Sequence, residues 1–287
     1  MNSKGTIEIR KKEGCMYMKM MQKKIRSLLY AGLGLVLCVL LCGGVGMTAQ
    51  AADSKTYGDF TYEESKNGIT ITGYAGDETE LVIPGEIAGK RVTSIGNWAF
   101  EWCRGLTSIV LPQSITNIGM GSFYYCMSLK SITLPEGLTS IGANAFSNCS
   151  GMTNITLPDG VISIGDSAFE GCSGMISITL PESVTSIGDH AFSNCSGLTS
   201  ITLPDSATSI GWGSFYKCSR LTSIVIPNGV TSIGAFTFGE CSSLTSIIIP
   251  YGITSIGNDA FIRCSSLTSI TIPDSVISIS FSVFLYC

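Results

Sequence analysis

Cysteine is the residue type most able to form covalent bonds or bind metal in this 287-residue sequence, because it recurs nine times at one fixed interval. The positions, each 23 residues after the last, are Cys103, Cys126, Cys149, Cys172, Cys195, Cys218, Cys241, Cys264 and Cys287. If successive repeats stack, neighbouring thiols stand about 5 Å apart, within reach of a disulfide, and zinc is a second option. The odd number of cysteines and their parallel side chains disfavour disulfides. A linear array of thiols disfavours zinc, which needs ligands clustered in a tetrahedron. We therefore predict buried free thiols that pack as small hydrophobes.

Histidine and the carboxylates are the candidates for hydrolytic chemistry, since a Ser/His/Asp site needs both. His190 is the only histidine, and Asp189 precedes it. Other repeats hold Asn144, Ser167, Gly213 and Asp259 at the same position. Acidic residues that recur after proline, Asp159, Glu182 and Asp205, fit surface turns. We therefore predict that His190 is a solvent-facing loop residue and that the chain has no catalytic residues, metal or cofactor.

The elements that carry these residues are predicted to be the coils of a solenoid, because phenylalanine keeps the same 23-residue interval. Its positions are Phe100, Phe123, Phe146, Phe169, Phe192, Phe215, Phe238, Phe261 and Phe284. Glycine recurs likewise, at Gly96, Gly119, Gly142, Gly165, Gly188, Gly211, Gly234 and Gly257. Such a glycine indicates either a backbone conformation unfavourable for other residues or a corner too crowded for a side chain.

One coil shows the predicted local structure. Leu198, Ile201 and Leu203 have inward strand spacing, and Pro204 ends that strand because it cannot donate to a ladder. Residues 207–210 form a second extended piece. Residues 214–218 fit one turn of α- or 3₁₀-helix. The predicted fold is a mainly β repeat solenoid with short helical turns and about nine 23-residue coils.

The N-terminal segment has a different composition from the repeats. Residues 1–52 hold eight Lys/Arg against two Asp/Glu, and the remaining residues hold nine against nineteen. Basic residues, the apolar run 28–42 and Ala49-Gln50-Ala51 together predict a signal peptide over residues 1–51, with a retained membrane anchor as the alternative. Residues 1–15 are expected to be untranslated, since Met16, Met18 and Met20 offer later starts. The mature chain should be acidic, without a membrane span, and unsuited to nucleic acid.

The next boundaries come from departures from the repeat. Residues 52–80 alternate apolar and polar residues around Lys66-Asn67-Gly68, which predicts a two-stranded N-terminal cap. The repeats follow over residues 81–287. Five additional residues in the first coil, around 87–91, are predicted to form a surface loop. We also expect that the array is truncated, because no capping coil follows Cys287.

Two sets of outward residues are candidates for binding. Thr133, Thr156, Thr179 and Thr202 occupy one outward strand position and are either a favourable strand surface or a flat face for a partner. The second set is aromatic and comprises Trp98, Trp102, Tyr124 and Tyr125, with Trp212 and Tyr216 further along the chain. Tyrosine and tryptophan are common at interfaces and sugar sites, and they could equally shield the end of the solenoid.

The pattern L-x-x-I-x-L-P followed by V-T-S-I-G-x-x-A-F-x-x-C resembles the BspA-like, or Treponema-type, leucine-rich repeats. The resemblance covers about four-fifths of the chain. It implies a curved right-handed solenoid with a strand ladder on its concave face, in a non-enzymatic secreted or cell-surface protein. Expected partners are extracellular or host proteins, as in adhesion. Alternatives are a glycan-binding module or a structural spacer that displays a further domain.

Overall fold

The computed structural model describes residues 54–287, so the predicted signal peptide lies outside the described residues. Each coil contributes one short extended piece to each of two rows of parallel strands, and a turn segment then closes the coil. The first row contains β4 (Glu80–Val82), β7 (Ser108–Val110), β9 (Ser131–Thr133), β12 (Ser177–Thr179), β14 (Ser200–Thr202), β16 (Ser223–Val225) and β18 (Ser246–Ile248). Single parallel bridges at Thr156 continue this row between β9 and β12.

The second row follows the proline corner of each coil, and apart from its six-residue first strand its strands are two residues long. It contains β6 (Lys90–Ile95), β8 (Asn117–Ile118), β10 (Ser140–Ile141), β11 (Ser163–Ile164), β13 (Ser186–Ile187), β15 (Ser209–Ile210), β17 (Ser232–Ile233), β19 (Ser255–Ile256) and β20 (Ser278–Ile279). Within each row, pairing is parallel and joins residues 23 apart from β7 onwards, for example Ile178 with Ile201. The repeat length therefore sets the register directly.

Residues 55–74 form a three-stranded antiparallel meander, whereas the sequence predicted a two-stranded cap. Its strands are β1 (Lys55–Tyr57), β2 (Phe60–Ser65) and β3 (Gly68–Tyr74). β3 then pairs in parallel with β6, so the meander continues the second row and covers its edge. Glu64 accepts hydrogen bonds from Lys55 and Lys90, each with a 2.7 Å contact.

Residues 88–91 are exposed, as the predicted surface loop requires, but they belong to a hairpin whose first strand buries Ile87. β5 (Glu86–Ile87) pairs antiparallel with the start of β6 across Ala88 and Gly89. Both turn residues have positive φ, as a two-residue type I′ hairpin turn requires. Ile87 is buried, and this apolar anchor explains why the additional residues are ordered against the core.

The turn segments are not helical anywhere in residues 54–287, which corrects the prediction of a helical turn at 214–218. Alternate N–H groups bond within the coil and to the next coil. The Tyr216 N–H donates to the Gly213 carbonyl, whereas the Phe215 N–H donates to Thr237 and the Lys217 N–H to Gly239 in the next coil. A helix would keep all these bonds inside its own segment. The turn segments therefore form a third ladder between coils.

The core lies between the strand rows and the turn segments. Ile201 and Leu203 point inward from the first row, Ile210 from the second, and Phe215 from the turn segment, and all are buried. Phenylalanine rings from successive coils are stacked face to face, with centroids 5.3–5.6 Å apart. Stacking lets each coil bury a surface that it could not bury alone.

Candidate functional site

The predicted threonine row lies where the sequence placed it, on the outer side of the first strand row. Bridges join Thr133 to Thr156 and Thr156 to Thr179, and Thr179 pairs with Thr202. All four side chains are exposed. We call the outward residues of this row the strand face: Val82, Val110, Thr133, Thr156, Thr179, Thr202, Val225, Ile248 and Thr271.

Two apolar residues follow Thr202 along the strand face. Val225 and Ile248 are directly paired, with 59% and 61% of their surfaces exposed, and Tyr251 nearby is 82% exposed. A shallow depression of about 370 Å³ lies beside them, edged by Asp205 and Asn228. Adjacent exposed apolar side chains on a flat ladder, with polar groups at the rim, are typical of a protein contact surface.

The four N-terminal aromatic residues form one cluster on the turn side of the first two coils. Trp102 and Tyr125 are stacked with centroids 4.3 Å apart, and Tyr124 meets Trp98 edge-on at 5.4 Å. The Arg104 guanidinium lies 4.5 Å from the Trp102 centroid. The rings thus contact one another and a cation of the same chain, which reduces the ring surface left for a ligand.

Trp212 and Tyr216 do not join that cluster. Trp212 packs edge-on against His190 at 4.0 Å, while Tyr216 donates a hydrogen bond of 2.8 Å to Glu240. Burial raises the pKa of Tyr216, and the Glu240 carboxylate adds to the effect. The core separates all six aromatic residues from the threonine row. The candidate residues therefore belong to different surfaces of the solenoid.

His190 differs from the prediction in its surroundings, since it is half-buried against Trp212 and has a φ of 54°. Within residues 54–287, no three His, Cys, Asp or Glu side chains are placed to hold a metal ion. The same residues include no helix with the length and apolarity needed to span a bilayer.

Eight of the nine repeat cysteines are buried free thiols, and Cys287 is exposed. From Cys126 to Cys287, each thiol donates a hydrogen bond to a backbone carbonyl of the preceding coil. The Cys149 Sγ donates to the Phe123 carbonyl of the preceding coil at 3.2 Å, and the Phe123 carbonyl also accepts the Cys126 N–H at 3.1 Å. Each pair of thiol and backbone donors thus satisfies both lone pairs of a buried carbonyl. Burial raises the pKa of Cys172 to about 12, so these thiols are poor nucleophiles.

Sequence reasoning missed a groove of about 830 Å³ that crosses successive coils beside the cysteines. One wall carries the residue two positions after each phenylalanine, including Asn148, Asn194, Lys217, Glu240, Arg263 and Tyr286; the other carries a row of serines. The signal was present in the sequence, because this position varies between aromatic, carboxamide and charged residues while its neighbours repeat.

Backbone geometry fixes that variable wall. The residue two after each phenylalanine has positive φ in all nine coils, for example 61° at Lys217 and 59° at Glu240. L-residues with side chains adopt this region at a cost that glycine avoids, and Gly171 shows that glycine fits here. Inter-coil hydrogen bonds hold the strained residues in place.

Known repeat proteins match this chain in both sequence and fold. The family model described as BspA type Leucine rich repeat region matches residues 80–175 and 163–287, with six copies. A comparison with curated proteins gave no match.

Solved structures of bacterial leucine-rich repeat proteins have the same fold. One from Bacteroides ovatus is 32% identical with a TM-score of 0.71, over 80% of this chain and 62% of its own. The T. pallidum protein TpLRR is 29% identical with a TM-score of 0.55, over 76% and 92%. The pneumococcal vaccine antigen PcpA is 20% identical with a TM-score of 0.51, over 81% and 79%. This chain thus spans less than two thirds of the Bacteroides ovatus protein.

Proposed function

Because this chain belongs to the BspA-type leucine-rich repeat family, whose model matches its repeats, we propose that it is a non-enzymatic protein that binds other proteins through the strand face. The buried residues of each coil serve packing, and eight of the nine repeat thiols are enclosed among them. On the strand face, the identity of the outward side chain changes from coil to coil while the backbone ladder stays the same. A regular backbone that presents different side chains is suited to binding a specific protein surface.

The observation that carries the proposal is the exposure of Val225, Ile248 and Tyr251. These side chains are in adjacent coils, and a partner that covered them would remove a contiguous apolar area from water. The exposed threonine row continues from them towards the N-terminus and offers methyl and hydroxyl groups on a flat support. A protein surface with apolar anchors and a polar rim would complement both parts.

The proposed location is extracellular, either secreted or displayed on the cell surface. It rests on the leader-like sequence, in which basic residues precede an apolar run and Ala49-Gln50-Ala51. Buried thiols suit that location, because a folded chain would protect them from oxidation. Adhesion to host or neighbouring-cell proteins would then be the biological role.

The test is a binding screen of residues 54–287 against immobilised extracellular matrix proteins, using surface plasmon resonance. A V225E/I248E double variant places two charges on the strand face. T231E/T254E is the matched control, since both threonines are exposed beside the second strand row of the same two coils. A saturable partner should lose binding to V225E/I248E and retain it with T231E/T254E.

Two other results would contradict this assignment. Equal loss with both variants would place recognition elsewhere or show a folding defect, which thermal unfolding of each variant distinguishes. A folded protein that binds no member of the panel would favour the structural spacer. An alanine variant of Trp98, Trp102, Tyr124 and Tyr125 should bind as the parent does; loss there would favour the aromatic cluster.

A further inference from the structure

We propose that the groove beside the cysteines binds an extended acidic oligosaccharide in which every second sugar carries a carboxylate. This site lies on the turn side of the coils, across the core from the strand face. Its lining is polar and charged, whereas the strand face carries only uncharged threonine, valine and isoleucine side chains. It therefore goes beyond the proposed protein binding and can be tested separately.

The cations of the groove are spaced for alternate sugars. Lys217 and Arg263 occupy the same position two coils apart, and coils repeat at about 4.8 Å, so their backbones are about 10 Å apart. Neither side chain forms an ion pair within residues 54–287; each lies over a tyrosine ring, Lys217 at 5.0 Å from Tyr216 and Arg263 at 5.7 Å from Tyr286. Both charges remain available to a ligand.

Glu240 stands between the two cations and selects against a uniformly charged polymer. Its carboxylate accepts the Tyr216 hydroxyl at 2.8 Å, which fixes it in the intermediate coil. A carboxylate on the ligand at that level would be repelled, whereas a neutral sugar can donate hydroxyls to Glu240. The sequence cation, carboxylate, cation along the groove thus matches a polymer in which acidic and neutral sugars alternate.

The remaining lining supplies hydrogen bonds at each coil. The Ser242 and Ser265 hydroxyls donate to carbonyls of the preceding coil, so their oxygens stay available as acceptors. Asn194 donates its amide to Ser193, which leaves its carbonyl oxygen for the groove. A polyhydroxylated ligand can donate to these acceptors along its length.

A peptide is the less favourable ligand for two reasons. The backbone N–H groups of Asn194, Lys217 and Glu240 are used by the next coil, so no strand edge is available for a peptide backbone. The residues that line the groove also include no aliphatic side chain that could anchor a peptide residue. Both usual sources of peptide affinity are missing, while hydroxyl, carboxamide and charged groups are abundant.

The experiment is isothermal titration of residues 54–287 with a hyaluronan decasaccharide, in which uronates alternate with neutral sugars. A chitin hexasaccharide and a decaglutamate peptide serve as neutral and peptide probes. Hyaluronan should bind and the other two should not. Affinity should fall about five- to tenfold in K217Q/R263Q, as expected for two partly exposed ion pairs. K66Q/K130Q, which removes two exposed lysines elsewhere, should bind as the parent does.

Two further variants make the outcome decisive. E240Q should bind a decagalacturonate, which carries a carboxylate on every sugar, about two- to threefold more tightly than the parent does, because one repulsive charge is removed. V225E/I248E should bind hyaluronan unchanged, which separates this site from the strand face. Absence of hyaluronan binding, equal weakening by K66Q/K130Q, or binding of decaglutamate with the same dependence on Lys217 and Arg263 would each overturn the proposal.

Discussion

Phe169 and Phe192 lie almost parallel, with ring centroids 5.4 Å apart and an angle of 5° between their planes. Consecutive coils hold these residues 23 positions apart, and both rings are fully buried. The Phe169 N–H donates to the Ala191 carbonyl, so the same step that stacks the rings also joins the backbones. Side-chain packing and the inter-coil ladder therefore share one register.

Replacing Phe192 by alanine should lower the free energy of unfolding by about 3–5 kcal/mol, because it leaves a cavity between two stacked rings. Urea denaturation followed by circular dichroism measures the loss. F281A is the control, since Phe281 is 85% exposed and its removal should cost less than about 0.5 kcal/mol. A loss below about 1 kcal/mol for F192A would contradict the buried stack.

Gly211 is required by crowding between coils. Its φ is not positive, and an added Cβ would lie 2.4 Å from the Asp189 backbone nitrogen and 2.4 Å from the Gly188 carbonyl carbon. Backbone atoms of a neighbouring coil cannot move aside without breaking the ladder. G211A should therefore lower the free energy of unfolding by about 1–3 kcal/mol, measured by the same denaturation.

Gly105 is the matched control for that substitution. A Cβ there would meet nothing within 4 Å, and its φ is also not positive. G105A should be neutral or stabilise by up to about 1 kcal/mol, because alanine restricts the unfolded chain. Equal losses in G211A and G105A would show that alanine disturbs glycine positions for a reason other than crowding.

The sequence predicted the solenoid, its inward residues and the threonine row, because a strict 23-residue period fixes which side chains stack. It left two explanations for the recurring glycine, and the structure supports crowding at Gly211. The helical turn at 214–218 was wrong because periodicity locates inward residues without revealing where N–H groups bond. Phe215 points inward in either conformation, yet its N–H reaches the next coil.

The candidate sites were predicted less well, for a related reason. Trp98 and Trp212 share a residue type and so formed one predicted set, but the aromatic contacts of each are local to adjacent coils. The groove was missed because Lys217, Glu240 and Arg263 look unrelated until coils are stacked. Their common feature is a positive φ, which the residue types do not indicate, since glycine is present at only one of these nine positions.

Acid should destabilise the N-terminal meander through Glu64. Hydrogen bonds from Lys55 and Lys90 lower the pKa of this carboxyl from 4.5 to about 2. A lowered folded pKa means that the stabilisation is present above pH 4.5 and is lost as pH falls towards 2. The melting temperature of the parent should therefore fall across this pH window more than that of E64Q, which has no carboxyl to titrate at this position. Parallel pH profiles for the two proteins would refute the contribution of Glu64.

Thiol labelling should distinguish the buried cysteines from Cys287. Iodoacetamide added to unreduced, denatured residues 54–287 should modify nine cysteines, since all nine are free thiols. Mass spectrometry counts the labels. In the native protein only Cys287 is exposed, so one label should appear rapidly and the rest slowly. Missing labels under denaturing conditions would indicate disulfides and contradict the free-thiol prediction.

Alkaline pH should destabilise the solenoid through the same buried thiols. Burial raises the pKa of six of them, Cys149, Cys172, Cys195, Cys218, Cys241 and Cys264, and the value reaches about 12 at Cys172. A raised folded pKa means that the stabilisation is complete below the ordinary thiol pKa of 9.0 and is lost as pH rises towards 12. Each thiol contributes up to about 1.4 kcal/mol per pH unit to this loss.

The thiol contribution can be separated from tyrosine and lysine titration by one substitution. C172A should reduce the slope of unfolding free energy against pH, between about pH 9 and 12, by up to about 1.4 kcal/mol per unit, although it also costs some stability at neutral pH. Urea denaturation at a series of pH values gives both slopes. If the parent and C172A lose stability at the same rate, the Cys172 thiol ionises as readily in the folded chain as in the unfolded one, and its burial is not what the structure describes.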